Sequence, residues 1–271
     1  MGTGLELLGI PTNGPLWSAS ALRTHPQEVS ALHARYAAAG ARVLTTCTFR
    51  TTERAAGPSW RALCETAVAL ARGAAAPRAR VAGSIAPLED CWHPERSPDN
   101  PRPDHAQLAQ ELARLGCDLL LCETFAHPGE ALAAAKAAVA TGLPTWVSLT
   151  PGYTARLLTP NALAEAAARA VDAGAQAVLV NCCPAVHTLP YVEALARACP
   201  GVAVGAYANA GAAEDRCGWS TDENTAAARY LEHARRWVDA GATLIGGCCG
   251  TTPATIAALA AALGDPPKPT Q

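Results

Sequence analysis

The feature that most limits what this chain can fold into is a unit that recurs along it: an Ala-rich segment of helical character, a Gly at its end, and a short run of apolar residues. Gly readily takes the left-handed conformation that ends helices, so each unit reads as helix, stop, strand. Pro26, suited to a first helical turn, opens a helix to about Ala39 that Gly40 stops, and a strand over 42–46 follows. The same reading gives helices over 59–73, 104–115, 127–141, 160–173, 188–198 and 222–240. The strands that follow them are 81–85, 118–122, 145–149, 177–181, 202–207 and 243–246, and a closing helix runs over 253–263.

Strands this short, apolar at nearly every position and separated by helices, are buried on both faces, which calls for a parallel sheet. Alternation this regular favours an α/β protein of the (β/α)₈ TIM-barrel kind over a doubly wound sheet. Seven strands are readable. The eighth has to precede the first helix, where only 5–10, from Leu5 to Ile10, offers a candidate, so the expectation is that this segment closes the barrel or that the chain begins too late to include it. Residues 1–264 then form one barrel domain, and 265–271, with Pro266, Pro267 and Pro269, a disordered tail.

Composition narrows the function. Half of the residues are hydrophobic and 16% charged, with 21 basic against 23 acidic side chains, so the chain can bury a full core and lacks the basic excess of a nucleic-acid binder. Lys136 and Pro144 interrupt the longest Ala-rich stretch, so no run reaches the roughly 18 apolar residues of a membrane span. Residues 1–14 carry neither a basic n-region nor an apolar h-region, so export is not expected. A cytoplasmic protein acting on small molecules is expected, with neither nucleic acid nor membrane as partner. Its 11 cysteines are then kept as thiols and need a reason other than stapling.

The cysteines gather where a parallel barrel builds its site, at the C-terminal ends of strands. One strand ends in Asn181-Cys182-Cys183 and another in Gly246-Gly247-Cys248-Cys249-Gly250. Random placement gives roughly 0.4 adjacent Cys pairs for this count, and both pairs present lie at strand ends. A soft ion such as zinc takes thiolates tetrahedrally, and catalytic zinc keeps three protein ligands and an open fourth position. Cys248 and Cys249, flanked by glycines, can reach one ion, and a third thiolate has to come from a neighbouring strand. The competing reading, that a free cysteine is a buried small hydrophobe, suits Cys64, Cys117 and Cys199.

The pairing of Asn181-Cys182 with Gly246-Gly247-Cys248-Cys249-Gly250-Thr251-Thr252-Pro253 resembles the homocysteine-binding domain of the zinc-dependent homocysteine S-methyltransferases. The family includes betaine and S-methylmethionine enzymes and the first module of methionine synthase. The resemblance covers nearly the whole chain, through Pro15-Leu16-Trp17-Ser18, Thr46-Cys47-Thr48-Phe49, Gly83-Ser84-Ile85-Ala86-Pro87, residues 119–124 and Tyr207-Ala208-Asn209-Ala210-Gly211. It implies that Cys182, Cys248 and Cys249 are both metal ligands and catalytic residues, binding Zn²⁺ whose fourth position takes the substrate thiol. A free alkyl thiol has a pKa near 8.5, and metal coordination removes its proton. The implied reaction moves a methyl group from S-methylmethionine or S-adenosylmethionine to homocysteine, forming methionine. A strand alternates its faces, so only one of Cys182 and Cys183 points inward, and the family places the ligand directly after Asn.

By the same resemblance Glu123 holds the substrate amino group, and a carboxylate at a helix N-terminus is its structural alternative. Asn181 orients the loop or the substrate, or serves as a plain turn residue. Ser148, Thr150 and Asn209 share the rim, while His187 and Trp219 stand out by proximity alone. Two departures from the family pattern are visible: no Asp-Gly-Gly precedes Met1-Gly2-Thr3, and Cys47 replaces the usual Asn after the second barrel strand. The alternatives are a non-catalytic zinc-binding barrel, a methyltransferase for another thiol or with another donor, a metal-free reductive thiol protein, and a phosphate-binding barrel.

Overall fold

The structure is a computed structural model that describes residues 1–75, 79–211 and 222–264. The expected tail over 265–271 and Trp219 lie outside the described residues. Helices α1 (Gly2–Leu7), α2 (Ala21–Thr24) and α3 (Pro26–Ala38) lead into strand β1 (Val43–Thr45). Then come α4 (Glu53–Ala56), α5 (Trp60–Ala74), β2 (Arg80–Ile85), α6 (Arg102–Arg114), β3 (Leu119–Phe125), α7 (Pro128–Val139), β4 (Thr145–Leu149), α8 (Pro160–Asp172) and β5 (Ala177–Pro184). The chain closes with α9 (Ala185–Ala198), β6 (Ala203–Asn209), α10 (Glu223–Asp239), β7 (Leu244–Gly247) and α11 (Pro253–Leu263).

All seven strands pair in parallel in the order β1-β2-β3-β4-β5-β6-β7. Sequential parallel neighbours with a helix over each crossover form a curled, barrel-like α/β sheet. Its inner face is a small apolar cluster of Ala82, Leu119, Leu121, Ala177 and Leu179, joined by Trp146, Tyr207 and Leu244. The residues between them, Leu120, Cys122, Val178 and Val180, face outward into the larger core beneath the helices. The curl brings the first and last units together: Tyr36 on α3 donates to the carbonyl of Thr251 at 3.2 Å, and a Cβ on Gly40 would stand 2.9 Å from Ala260 Cβ on α11.

The segment from Leu5 to Ile10 is not a strand, which corrects the expectation that it closes the barrel. Residues 2–7 are α1, and Gly9, at φ +76°, ends that helix with Gly9 N–H bonded to Glu6 O and Ile10 N–H bonded to Leu5 O. That pair of bonds around a left-handed Gly is the Schellman stop. Leu5 and Ile10 are buried against Val29, Leu32 and Leu63 in a separate cluster, so their burial belongs to helix packing. The remaining strands stand where the sequence placed them to within a few residues, while α9 starts at Ala185, directly after β5, three residues before Thr188.

Candidate metal and substrate site

Three sulfurs meet at the C-terminal mouth of the sheet. The Sγ atoms of Cys182, Cys248 and Cys249 all lie within 4.8 Å of one another, with Cys182 Sγ and Cys249 Sγ 3.9 Å apart. Cys182 is buried, Cys248 half-buried and Cys249 exposed, so the cluster opens toward solvent on one side.

The backbone at each strand end explains this placement. On β5, Ala177 and Leu179 point inward, so strict alternation would send Asn181 and Cys183 inward and Cys182 outward. A bulge intervenes: Asn181 pairs with Tyr207 and Pro184 with Asn209, three residues against two, and Cys182 sits in the left-handed region at φ 54°. The extra residue turns the Cys182 sulfur to the mouth. Cys183 goes to the helix-facing core, with its sulfur 3.3 Å from Thr188 Oγ1, and burial pushes its thiol up to about 12.

After β7 the backbone is pinned to β6. Cys248 N–H donates to Ala208 O at 2.9 Å, Cys249 N–H to Asn209 Oδ1 at 3.1 Å, and Ala210 N–H to Cys249 O at 2.8 Å. Gly250, at φ +78°, passes so close to β6 that a Cβ would stand 1.6 Å from Ala210 O. No other residue fits there. Gly250 N–H also donates to Thr3 Oγ1 at 2.9 Å, which ties the turn to α1.

The three thiols share protons. Hydrogen bonds from Cys182 and Cys248 hold Cys249 down to about 3. Cys182 is held well above the ordinary thiol range by its bonds with Cys248 and Cys249, reinforced by burial. Cys248 is lowered by Cys182, but its bond with Cys249 and burial prevail, so it too stands well above that range. The cluster as a whole therefore favours giving up a proton, with the other two sulfurs stabilising the thiolate.

Glu123 lies inside the mouth, 9% exposed, with Ser84 Oγ donating to Oε1 and Tyr207 OH donating to Oε2 at 3.1 Å. Burial raises its pKa against both hydrogen bonds. It does not cap a helix, because α7 begins at Pro128 behind His127. Asn181 is fully buried: its Oδ1 accepts from Thr124 N–H at 3.2 Å and Ser148 Oγ at 2.8 Å, and its Nδ2 donates to Thr124 Oγ1 at 2.8 Å. Thr124 is itself left-handed, φ 67°, at a second bulge in which Cys122 pairs with Val147 and Phe125 with Leu149. Asn181 therefore braces two kinked strand ends against each other. Thr150 Oγ1 reaches the carbonyl of Cys182 at 3.4 Å, while His187 is exposed on α9.

Sequence reading did not single out Tyr207 and Ser84, which hold Glu123. Counting alternate residues inward along β6 from Ala203 reaches Tyr207 and would have found it. Cys47 lies among the apolar residues packed against α1 and α3, with its sulfur 3.4 Å from Ser18 Oγ and its pKa raised by burial. Cys64, Cys117 and Cys199 are buried in the main core, as expected of small hydrophobes.

The sequence model of the homocysteine S-methyltransferases matches residues 1–263. The chain belongs to the homocysteine S-methyltransferase family. Within that family it is 28% identical to homocysteine S-methyltransferase 3 of Arabidopsis thaliana, over 98% of this chain and 88% of the relative. It is 27% identical to the selenocysteine methyltransferase of Astragalus bisulcatus, over 100% of this chain and 92% of the relative. The metallated form of the homocysteine methyltransferase MmuM from Escherichia coli superposes with a TM-score of 0.79 at 27% identity, covering 96% of this chain and 93% of that one. Among the described residues, no helix is long and apolar enough to cross a membrane.

Proposed function

We propose that the protein transfers a methyl group from S-methylmethionine to the thiol of homocysteine, forming methionine, with Cys182, Cys248 and Cys249 holding a zinc ion. The observation that carries this reading is the three-sulfur cluster at the barrel mouth. Sulfurs sharing one tetrahedral ion at about 2.3 Å stand about 3.8 Å apart, and Cys182 Sγ and Cys249 Sγ are 3.9 Å apart. A set of three thiols and no hard oxygen ligand suits a soft, four-coordinate ion, and three protein ligands leave the fourth position to substrate. The cysteines among the described residues are all free, Cys249 exposed among them, which suits a reducing cytoplasmic setting.

A zinc ion held by Cys182, Cys248 and Cys249 would supply the Lewis acidity that favours the thiolate form of a substrate thiol at neutral pH. The chain's own residues do the rest. Glu123 receives the substrate ammonium: an arriving cation offsets the burial that disfavours its charged form, while Ser84 and Tyr207 fix the two carboxylate oxygens. Asn181 keeps the Thr124 and Cys182 turns in register, so the sulfurs and the carboxylate hold one spacing. Fixed in that way, the acceptor sulfur faces the methyl carbon of a sulfonium for in-line displacement.

The test is methionine formation by metal-loaded protein with methyl-labelled S-methylmethionine, S-adenosylmethionine and betaine, using homocysteine and, in view of the relatives named as selenocysteine methyltransferases, selenocysteine as acceptors. Labelled methionine with S-methylmethionine as the best donor is the expected result. Full metal occupancy with no methylated product from any pair would replace this reading with that of a non-catalytic metal-binding barrel.

A further inference from the structure

Arg50 follows the loop that leaves β1, at the same end of the barrel as the cysteines. It is 8% exposed, and among the described residues its one hydrogen bond runs from Nη1 to Leu88 O at 3.1 Å. Its Nε–H is buried with no partner, and among the described residues no carboxylate pairs with the guanidinium. A buried cation with an orphaned donor is costly unless something arrives to satisfy it.

Two aromatic rings flank that cation. Its central carbon lies 5.0 Å from the ring centre of Trp17 and 5.9 Å from that of Phe49, and the two rings stack 5.1 Å apart at 11°. Trp17 reaches this position from a left-handed backbone, φ 49°, a conformation that a bulky residue adopts only when its surroundings force it. Two residues before Arg50, Thr48 Oγ1 donates to Ser84 O at 2.8 Å, and Ser84 Oγ in turn donates to Glu123, so the loop that carries the guanidinium abuts the same mouth. With Nη1 engaged, the edge formed by Nε and Nη2 remains, and that edge matches the two oxygens of a carboxylate.

We propose that Arg50, set against Trp17 and Phe49 with its Nε edge unpaired, receives the α-carboxylate of an amino-acid substrate and so selects for substrates that carry one. This rests on the methyl-transfer reading above. Both homocysteine and S-methylmethionine bear the group. The aromatic pair is already occupied by this internal cation, so it is not a free cage for a donor's onium group.

The experiment compares the metal-loaded parent with Arg50→Met and Arg50→Lys. KM and kcat are measured for each substrate with the other saturating, then for homocysteine's decarboxylated analogue as acceptor and for trimethylsulfonium as donor. Calorimetry gives the affinity for homocysteine and for S-methylmethionine without turnover. Arg50→Met should weaken one carboxylate substrate about 10- to 100-fold in KM and affinity, as loss of a charge-assisted bond does, and leave its carboxylate-free counterpart within about twofold; Arg50→Lys should lie between. The substrate that loses affinity is the one Arg50 holds. Unchanged affinity for both carboxylate substrates, or an equal loss for the carboxylate-free analogues, would overturn the proposal and leave Arg50 as a strut between two loops. A parent that binds both substrates yet methylates nothing would sink the methyl-transfer reading, and the calorimetric comparison would still decide for or against Arg50.

Discussion

The same dipeptide, Cys-Cys, ends two strands of this curled sheet and meets two different fates. After β7, both cysteines reach the three-sulfur cluster, whereas on β5 Cys182 reaches it and Cys183 is buried against Thr188. The difference lies in the backbone. Between Gly247 and Gly250 the chain has left the sheet and folds back on itself, so two consecutive side chains can converge. Within β5 the chain is still paired, and a single left-handed residue turns one sulfur to the mouth while the next returns to the core. Side-chain type provides the sulfur, and local conformation decides which copy of it joins the cluster.

Breaking the cluster itself should have the largest effect. Cys182→Ser, Cys248→Ser and Cys249→Ser should each lower methyl transfer about a thousand-fold or more, because several kcal/mol of metal-derived stabilisation disappear; kcat/KM for methionine formation measures it. Gly250→Ala tests the β7 side without touching a sulfur. The Cβ has no room beside Ala210 O, so the turn has to move, with a loss of roughly 2–4 kcal/mol in chemical denaturation and a matching loss of bound metal. Asn181→Ala tests the β5 side in the same way. It leaves the Thr124 N–H and the Ser148 hydroxyl without their acceptor, which costs about 1–3 kcal/mol in stability and loosens metal binding about 10- to 100-fold in a chelator competition. The smallest effect belongs to Cys183→Ala, whose sulfur meets only Thr188 and the core: about 1 kcal/mol of stability, with kcat/KM within about twofold of the parent.

Much of this was legible in the sequence because it follows from periodicity and punctuation. Gly40, Gly116 and Gly174 mark helix ends with positive φ, and apolar runs mark strands buried on both faces. The cysteine set was legible because vicinal pairs at strand ends are rare by chance and matched a family pattern. What escaped depended on long-range contacts or on a turn read as a strand. Leu5 and Ile10 look like strand residues until Gly9 is recognised as a helix stop that folds Ile10 back onto Leu5. Simple alternation along β5 would have chosen Cys183; only the bulge, invisible to a period-two count, exposes Cys182. The roles of Tyr207, Ser84 and Arg50 rest on partners 38 to 84 positions away, and no local signal announces such pairings.

The central claim is that one metal ion sits on Cys182, Cys248 and Cys249 and that Cys183 takes no part. Native mass spectrometry of reduced, folded parent, Cys182→Ser and Cys183→Ser proteins tests it most directly. The account predicts one zinc per chain in the parent and in Cys183→Ser, and none in Cys182→Ser. Zinc retained in Cys182→Ser but lost in Cys183→Ser, or absent from the folded parent, would contradict it.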